Sequence, residues 1–239
     1  LAESEQRYQR LTSQANEIIY RHRLLPQSKY EYISPAVTSI LGYTPEEHYQ
    51  DPFIVYKVVH PEDHHLLEES MKGHKKDQVI IMRMVRKDGR IIWAETRNIA
   101  LYNEQGEVEV LEGIMRDVTD MIMAQKEIRK LSQGIEQNPN SIIITDTQGR
   151  IEYANKSFFK KTGFLAGEII GKLYVSIIPD EAVIDAINES ITSSNIWRGE
   201  VHSQKKNGEY YWEWAMVSPL VDEAGKLTNF IAIAEDITE

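Results

Sequence analysis

The chain has 239 residues, 41% hydrophobic and 27% charged, which is a globular composition and not that of a collagen, a disordered tract or a rod. Its 27 basic and 37 acidic residues leave a net charge of −10, which argues against a basic groove for nucleic acid. The absence of cysteine removes disulfides, cysteine-ligated metals, iron–sulfur clusters and thiol nucleophiles, and a reducing cytoplasmic setting is expected.

In chain order, Tyr8, Leu11, Ala15 and Ile18 recur at helical spacing, which predicts an amphipathic helix over 1–15. A first domain is expected over 16–119. There Ser34 is placed to cap a helix with Pro35 in its first position, and Thr44-Pro45-Glu46-Glu47 has the form of a capping box. Pro61-Glu62-Asp63 opens a longer helix carrying His64, Leu67, Met71 and His74 on one stripe, and Asp88-Gly89 and Gln105-Gly106 mark hairpin turns. A connecting helix follows over 120–138, with Met121, Ala124, Ile128, Leu131 and Ile135 forming an a/d seam. Both seams are under three heptads. Each fits either a helix folded onto its own domain or a homodimer formed through 1–18 and 120–135. A second domain is expected over 139–239. It opens with a hairpin of Ser141–Thr145 and Arg150–Ala154, has Asn155 as an N-cap, carries a longer helix near 180–192, and ends in strands near 197–205, 209–220 and 226–235.

The two domains are copies of one another. Lys87-Asp88-Gly89-Arg90 returns as Lys206-Asn207-Gly208-Glu209, Trp93 as Trp212, Gly106 as Gly225, and Asp117-Val118-Thr119 as Asp236-Ile237-Thr238, each 119 residues on. Leu41-Gly42-Tyr43 answers Thr162-Gly163-Phe164 at a slightly longer shift. Two strands, several helices and three strands per copy make an α+β architecture: two antiparallel five-stranded sheets, each with helices on one face. No apolar run approaches the ~20 residues of a membrane span. A chain opening at Leu1 is expected to be a piece of something longer.

These motifs, in this order and doubled, resemble the PAS family over nearly the whole chain. The Gly42-Tyr43 and Gly163-Phe164 corners, His60-Pro61-Glu62-Asp63, the glycine turns, the tryptophans after them and the Asp-x-Thr triplets all carry the resemblance. It implies a sheet cupping a pocket against its helices and a sensory role: a small molecule or partner domain is bound and a shift is passed to an effector. The usual effector is a histidine kinase or a cyclic-nucleotide enzyme, and neither is in this sequence. The triplets Asp117–Thr119 and Asp236–Thr238 look like the junction to an exit helix, with the aspartate reaching back to the domain and the threonine capping the helix.

Cofactors follow from the same resemblance. Light-sensing flavin members use a cysteine adduct, which this chain lacks. Flavin redox members carry Trp-x-Gly-Glu as in Trp197–Glu200, followed by an Asn where this chain has Ser203. A hydroxyl is shorter than an amide and cannot span both the donor and the acceptor positions of a ring edge, which counts against flavin in copy two. If Ser203 faces inward, so do Val201, Gly199 and Trp197. The flavin-type pattern also turns Glu213 inward with Tyr211 beside it, and the candidate ligand residues of copy two are Trp197, Ser203, Tyr211 and Glu213. In copy one the matching positions are Met84, Ala94 and Met115, a soft apolar interior expected to be filled by its own side chains, with Met84 and Met115 as its ligand candidates. Haem members use a His on the long helix. His64 is the candidate, but the surrounding acids and lysines suit an exposed face. His64 and His65 diverge by ~100° on a helix and do not make a metal site with His60. With no phosphate loop, nucleophile elbow or HExxH motif, a signalling module fits better than an enzyme. Its competing form is an unliganded dimerisation and relay spacer.

Overall fold

The computed structural model describes residues 17–72, 79–192 and 196–238. The expected helix over 1–15 and His74 lie outside them. The chain divides into two compact units at Lys126/Glu127.

The first unit begins with β1 (Ile18–Arg23) and β2 (Lys29–Ile33). Helices α1 (Ala36–Leu41), α2 (Pro45–Gln50) and α3 (Ile54–Val58) follow, then a 3-10 turn over Pro61–Asp63 and α4 (His64–Met71). β3 (Val79–Val85), β4 (Ile91–Tyr102) and β5 (Val108–Asp117) complete an antiparallel sheet in the order β2-β1-β5-β4-β3. Helix α5 (Thr119–Glu136) then leads out. The second unit repeats the plan with β6 (Ser141–Thr145), β7 (Ile151–Ala154), α6 (Lys156–Thr162), α7 (Ala166–Ile169), a 3-10 turn over Tyr174–Ile177 and α8 (Glu181–Thr192). β8 (Trp197–Gln204), β9 (Tyr210–Val221) and β10 (Leu227–Asp236) give the order β7-β6-β10-β9-β8. The alternation of buried and exposed residues on β8 and β9 is the period-2 signature of a sheet with one face on a core.

Local chemistry explains several boundaries. Thr44 and Glu47 close a capping box on α2, and Asn155 accepts from the Phe158 N–H at the start of α6. α1 and α6 both end at a left-handed glycine, Gly42 and Gly163, where a side chain would be strained. The chain then meets the β-turn: Lys87 N–H donates to Leu41 O and Lys206 N–H to Thr162 O, both at 2.9 Å.

Two expectations change, and a third residue does more than expected. Ser34 does not cap α1: its hydroxyl accepts from Ile19 N–H and donates to Glu17 O, tying β2 to the start of β1. Ile18 is not on a helical seam. It sits in β1, 1% exposed in the first core, because a β-branched side chain facing the helices gains more by burial than by extending an exposed stripe. Asp63 stands at the helix entry as expected and also ties that entry to β3. It is buried and receives three bonds from Arg83: backbone N at 2.7 Å, Nε at 3.0 Å and Nη2 at 2.6 Å. That grip holds its carboxyl below the usual range.

Candidate functional site: two domain interiors and their exit junctions

In the second domain β8 and β9 bring Ser203 and Glu213 together. Ser203 Oγ donates to Glu213 Oε1 at 2.7 Å, and the Tyr211 hydroxyl shares that carboxylate. Glu213 is 2% exposed. Burial raises its pKa, opposed chiefly by the Ser203 bond and by the charge of Lys161. Tyr211 and Tyr174 are both pushed far up, first by burial and then by the Glu213 charge. Two donors near this cluster, Lys161 Nζ and Tyr174 Oη, are buried and have no hydrogen-bond partner. Neither stood out in the sequence, because each becomes polar lining only when its helical segment closes over the sheet. Trp197 is half-buried and packs on the second core, its ring lying over Gly199, where a Cβ would come within 2.8 Å.

This set differs from the amide that flavin redox members place at the ring edge. The Ser203 hydroxyl gives its one hydrogen to Glu213 and keeps only acceptor capacity, so it offers no donor to a ring in this arrangement.

The first domain differs. Met84 and Met115 lie in its core, and with Met71 and Met82 they line a cavity of about 60 Å³, so the interior is not filled by its own side chains. The cavity also has a polar side that the sequence reading missed. Tyr20 Oη donates to Asn98 Oδ1 at 2.5 Å, and Asn98 Nδ2 donates to Ser70 Oγ on α4 at 2.6 Å. This chain crosses β5 at Gly113, which is paired with both Tyr20 and Asn98. Any Cβ there would run into the Asn98 amide and the Tyr20 ring. His22 stacks on Tyr30 with centroids 4.3 Å apart, and Tyr30 meets the edge of His48 at 5.3 Å. Burial pushes His22 down to about 4 and lowers His48 as well. Alternation along β4 from Ala94 would have pointed to Thr96 and Asn98. Nothing local pointed to Ser70.

His64 Nε2 is turned to the backbone, 3.1 Å from Tyr56 O and 3.2 Å from Val59 O. His60 and His65 are bonded to the Glu62 backbone, and among the described residues no three His, Asp or Glu side chains gather as a metal site.

The exit junctions are alike, and they reverse the expected roles. Thr119 reaches back: its Oγ1 accepts from Trp93 N–H on β4 at 2.9 Å. Asp117 caps, accepting from Thr119 N–H at 2.8 Å. In the second domain Thr238 Oγ1 accepts from Trp212 N–H at 3.0 Å, and Asp236 accepts from Thr238 N–H at 3.0 Å. The threonine makes the reach because it sits beside the tryptophan, which leaves Asp117 to serve the start of α5. Each tryptophan is directly followed by the inward residue of its strand, Ala94 or Glu213.

Comparison with known families matches residues 30–115 to a model described as the PAS fold and residues 139–239 to a model described as the PAS domain. The chain belongs to the PAS family. It is a tandem of two PAS domains, the kind of module that serves sensing and signal transduction and is regulatory rather than catalytic. It is 32% identical over 102 residues to a high-affinity cAMP-specific phosphodiesterase 8A of Mus musculus, covering 41% of this chain and 12% of that protein. Hybrid signal transduction histidine kinase L of Dictyostelium discoideum is 27% identical over 111 residues, covering 46% of this chain and 6% of the kinase. Phototropin-1A of Oryza sativa subsp. japonica is 28% identical over 92 residues, covering 37% and 10%. The chain thus spans a small fraction of the length of the relatives it matches. Among the described residues no helix is long and apolar enough to cross a membrane.

Proposed function

We propose that this tandem is the sensory region of a signalling protein. A small molecule or partner acting on a domain interior shifts the sheet, the sheet moves the exit helix, and an effector such as a histidine kinase or a cyclic-nucleotide enzyme responds. The observation that carries this reading is the junction. Trp93 and Trp212 bond to the threonine that starts each exit, and the residue after each tryptophan faces the interior. A change at Glu213 is therefore one peptide from the bond to Thr238. Relatives that are a phosphodiesterase and a histidine kinase support the effector class. The test is Asp236→Ala with Thr238→Val in a parent protein carrying its effector. Regulation should be lost while ligand binding persists; unchanged regulation would refute the junction's role.

Pairing of two copies through α5 belongs to the same proposal. None of its residues is buried, and Ile128 and Leu131 are 68% and 60% exposed, which supports a seam awaiting a partner helix over one folded onto its own domain. Sedimentation should find a dimer, and Ile128→Lys with Leu131→Lys should give monomers. A parent chain that sediments as a monomer at micromolar concentration refutes the pairing. The proposed setting is the cytoplasm, on the lack of cysteine, with no nucleic-acid partner, on the net charge of −10. A flavin redox role for the second domain has Trp197 and the likeness to a phototropin in its favour, and the Ser203–Glu213 pair against it. Flavin absorption bands in the purified chain would decide for it.

A further inference from the structure

The cavity of the first PAS domain carries a more specific conclusion, which deepens the sensory reading by naming the ligand class. We propose that it binds a compact, uncharged molecule that both donates and accepts hydrogen bonds, of the size and kind of a short amide or alcohol.

Charge comes first. None of the described residues lining the cavity is an Asp, Glu, Lys or Arg. An ion entering it would lose its water without gaining a counter-charge, a penalty that such a site does not offset. A neutral molecule meets no such barrier.

The free hydrogen-bonding groups set the next requirement. Thr96 is 5% exposed, and its Oγ1 is buried without a partner. A buried hydroxyl left unpaired is destabilising, and a lining position gives it one place to find a partner, the cavity itself. Ser70 accepts from Asn98 and keeps its own hydrogen to offer. His48 Nδ1 lies 3.0 Å from Thr44 O. Only an N–H can serve a carbonyl, so in the neutral ring Nε2 is left as an acceptor. Two hydroxyls able to donate and one imidazole nitrogen able to accept call for a ligand with both an acceptor and an N–H or O–H.

Size and body follow from the remaining wall. A volume of about 60 Å³ is well under the ~150 Å³ that admits benzene. Four of the chain's seven methionines line it, Met71, Met82, Met84 and Met115, and their unbranched thioethers can yield to a slightly larger apolar body.

The test is a titration of the whole 239-residue chain, labelled at the methionine methyls, with three three-carbon probes of similar size: propionamide, propionate and propylammonium. Propionamide should shift the Met82, Met84 and Met115 signals saturably in the millimolar range, leaving Met121, Met123 and Met216 unmoved. The two ions should do nothing at the same concentrations. Thr96→Val, which removes the hydroxyl at constant shape, should weaken propionamide about ten-fold. If that variant does not fold, Ser70→Ala reads the same contribution from α4. Equal binding of either ion, unchanged affinity in a folded Thr96→Val or Ser70→Ala variant, or no shift with any probe overturns the inference. Methyl shifts with no response at the Thr119 amide would leave the site standing and sink the relay.

Discussion

The two PAS domains share their strand order, their left-handed helix ends and their tryptophan–threonine junctions, yet their interiors are chemically opposite. Ala94 lies across from Met82 and Asp117, and Glu213 lies across from Val201 and Asp236, so the two occupy one site in the sheet. Met84 likewise matches Ser203. In the second domain Ser203, Tyr211 and Glu213 gather at one buried carboxylate, with Lys161 Nζ and Tyr174 Oη buried and unpaired near it. In the first, the polar groups are strung from β1 to α4 beside a cavity. The difference teaches that turns, caps and sheet register hold the architecture, which frees the inward positions of β3–β5 and β8–β10 to diverge.

The largest expected effect comes from exchanging those positions. Ala94→Glu places a carboxylate in an interior that has no cation to meet it. It should destabilise the first domain by about 4 kcal/mol or unfold it. Glu213→Ala leaves Ser203 and Tyr211 without their acceptor and should cost the second domain about 2 kcal/mol. Calorimetry resolving two transitions measures both. An Ala94→Glu chain as stable as the parent would mean that the two interiors are not opposites.

Acid should separate the domains next, with opposite signs. His22 has its pKa lowered from 6.5 to about 4, so the unfolded state takes up the proton first. The stability this gives the first domain is full above pH 6.5 and is lost as pH falls toward 4, about 3 kcal/mol across the window. His48 acts in the same direction. Glu213 has its pKa raised above 4.5, so its proton is held more tightly when folded. That contribution is full below 4.5 and is lost as pH rises through the folded value. Between pH 6.5 and 4.5 the first transition should therefore move down and the Glu213 contribution should move the second up. His22→Phe, which can still stack on Tyr30, should flatten the first trend. Parallel movement of both transitions would break the comparison.

What was legible in the sequence was local. Thr44 and Glu47 are three residues apart, Asn155 and Phe158 likewise, and the inward faces of β8 and β9 follow from strict alternation through Ser203, Tyr211 and Glu213. Met84 and Met115 were reached by carrying that alternation from one copy to the other. What escaped depends on convergence across long stretches of chain. Tyr20 meets Asn98 only because Gly113 opens the strand between them, and Asn98 meets Ser70 only once α4 closes. Ser34 and Thr119 both read as helix caps, since capping is what an isolated hydroxyl before a helix does best. Each instead bonds to a neighbouring strand that only the folded sheet supplies.

The smallest effect should fall at the junctions, where the domains look most alike. Thr119→Val removes the acceptor of Trp93 N–H and should cost about 1 kcal/mol, and Thr238→Val should do the same at Trp212. The comparison sharpens in what surrounds the bond. Thr238 Oγ1 also lies 3.3 Å from Trp212 O, so that staple closes on a single residue of β9. The first junction has a second hold of another kind, because Lys126 Nζ on α5 sits 4.6 Å from the centroid of the Trp93 ring. If the junction couples sheet to helix, Thr119→Val should speed amide exchange over the first turns of α5 well beyond its effect on β4, and Lys126→Ala should add to it. Exchange that rises equally along β4 and α5 would show a domain merely loosened, with no coupling particular to the helix.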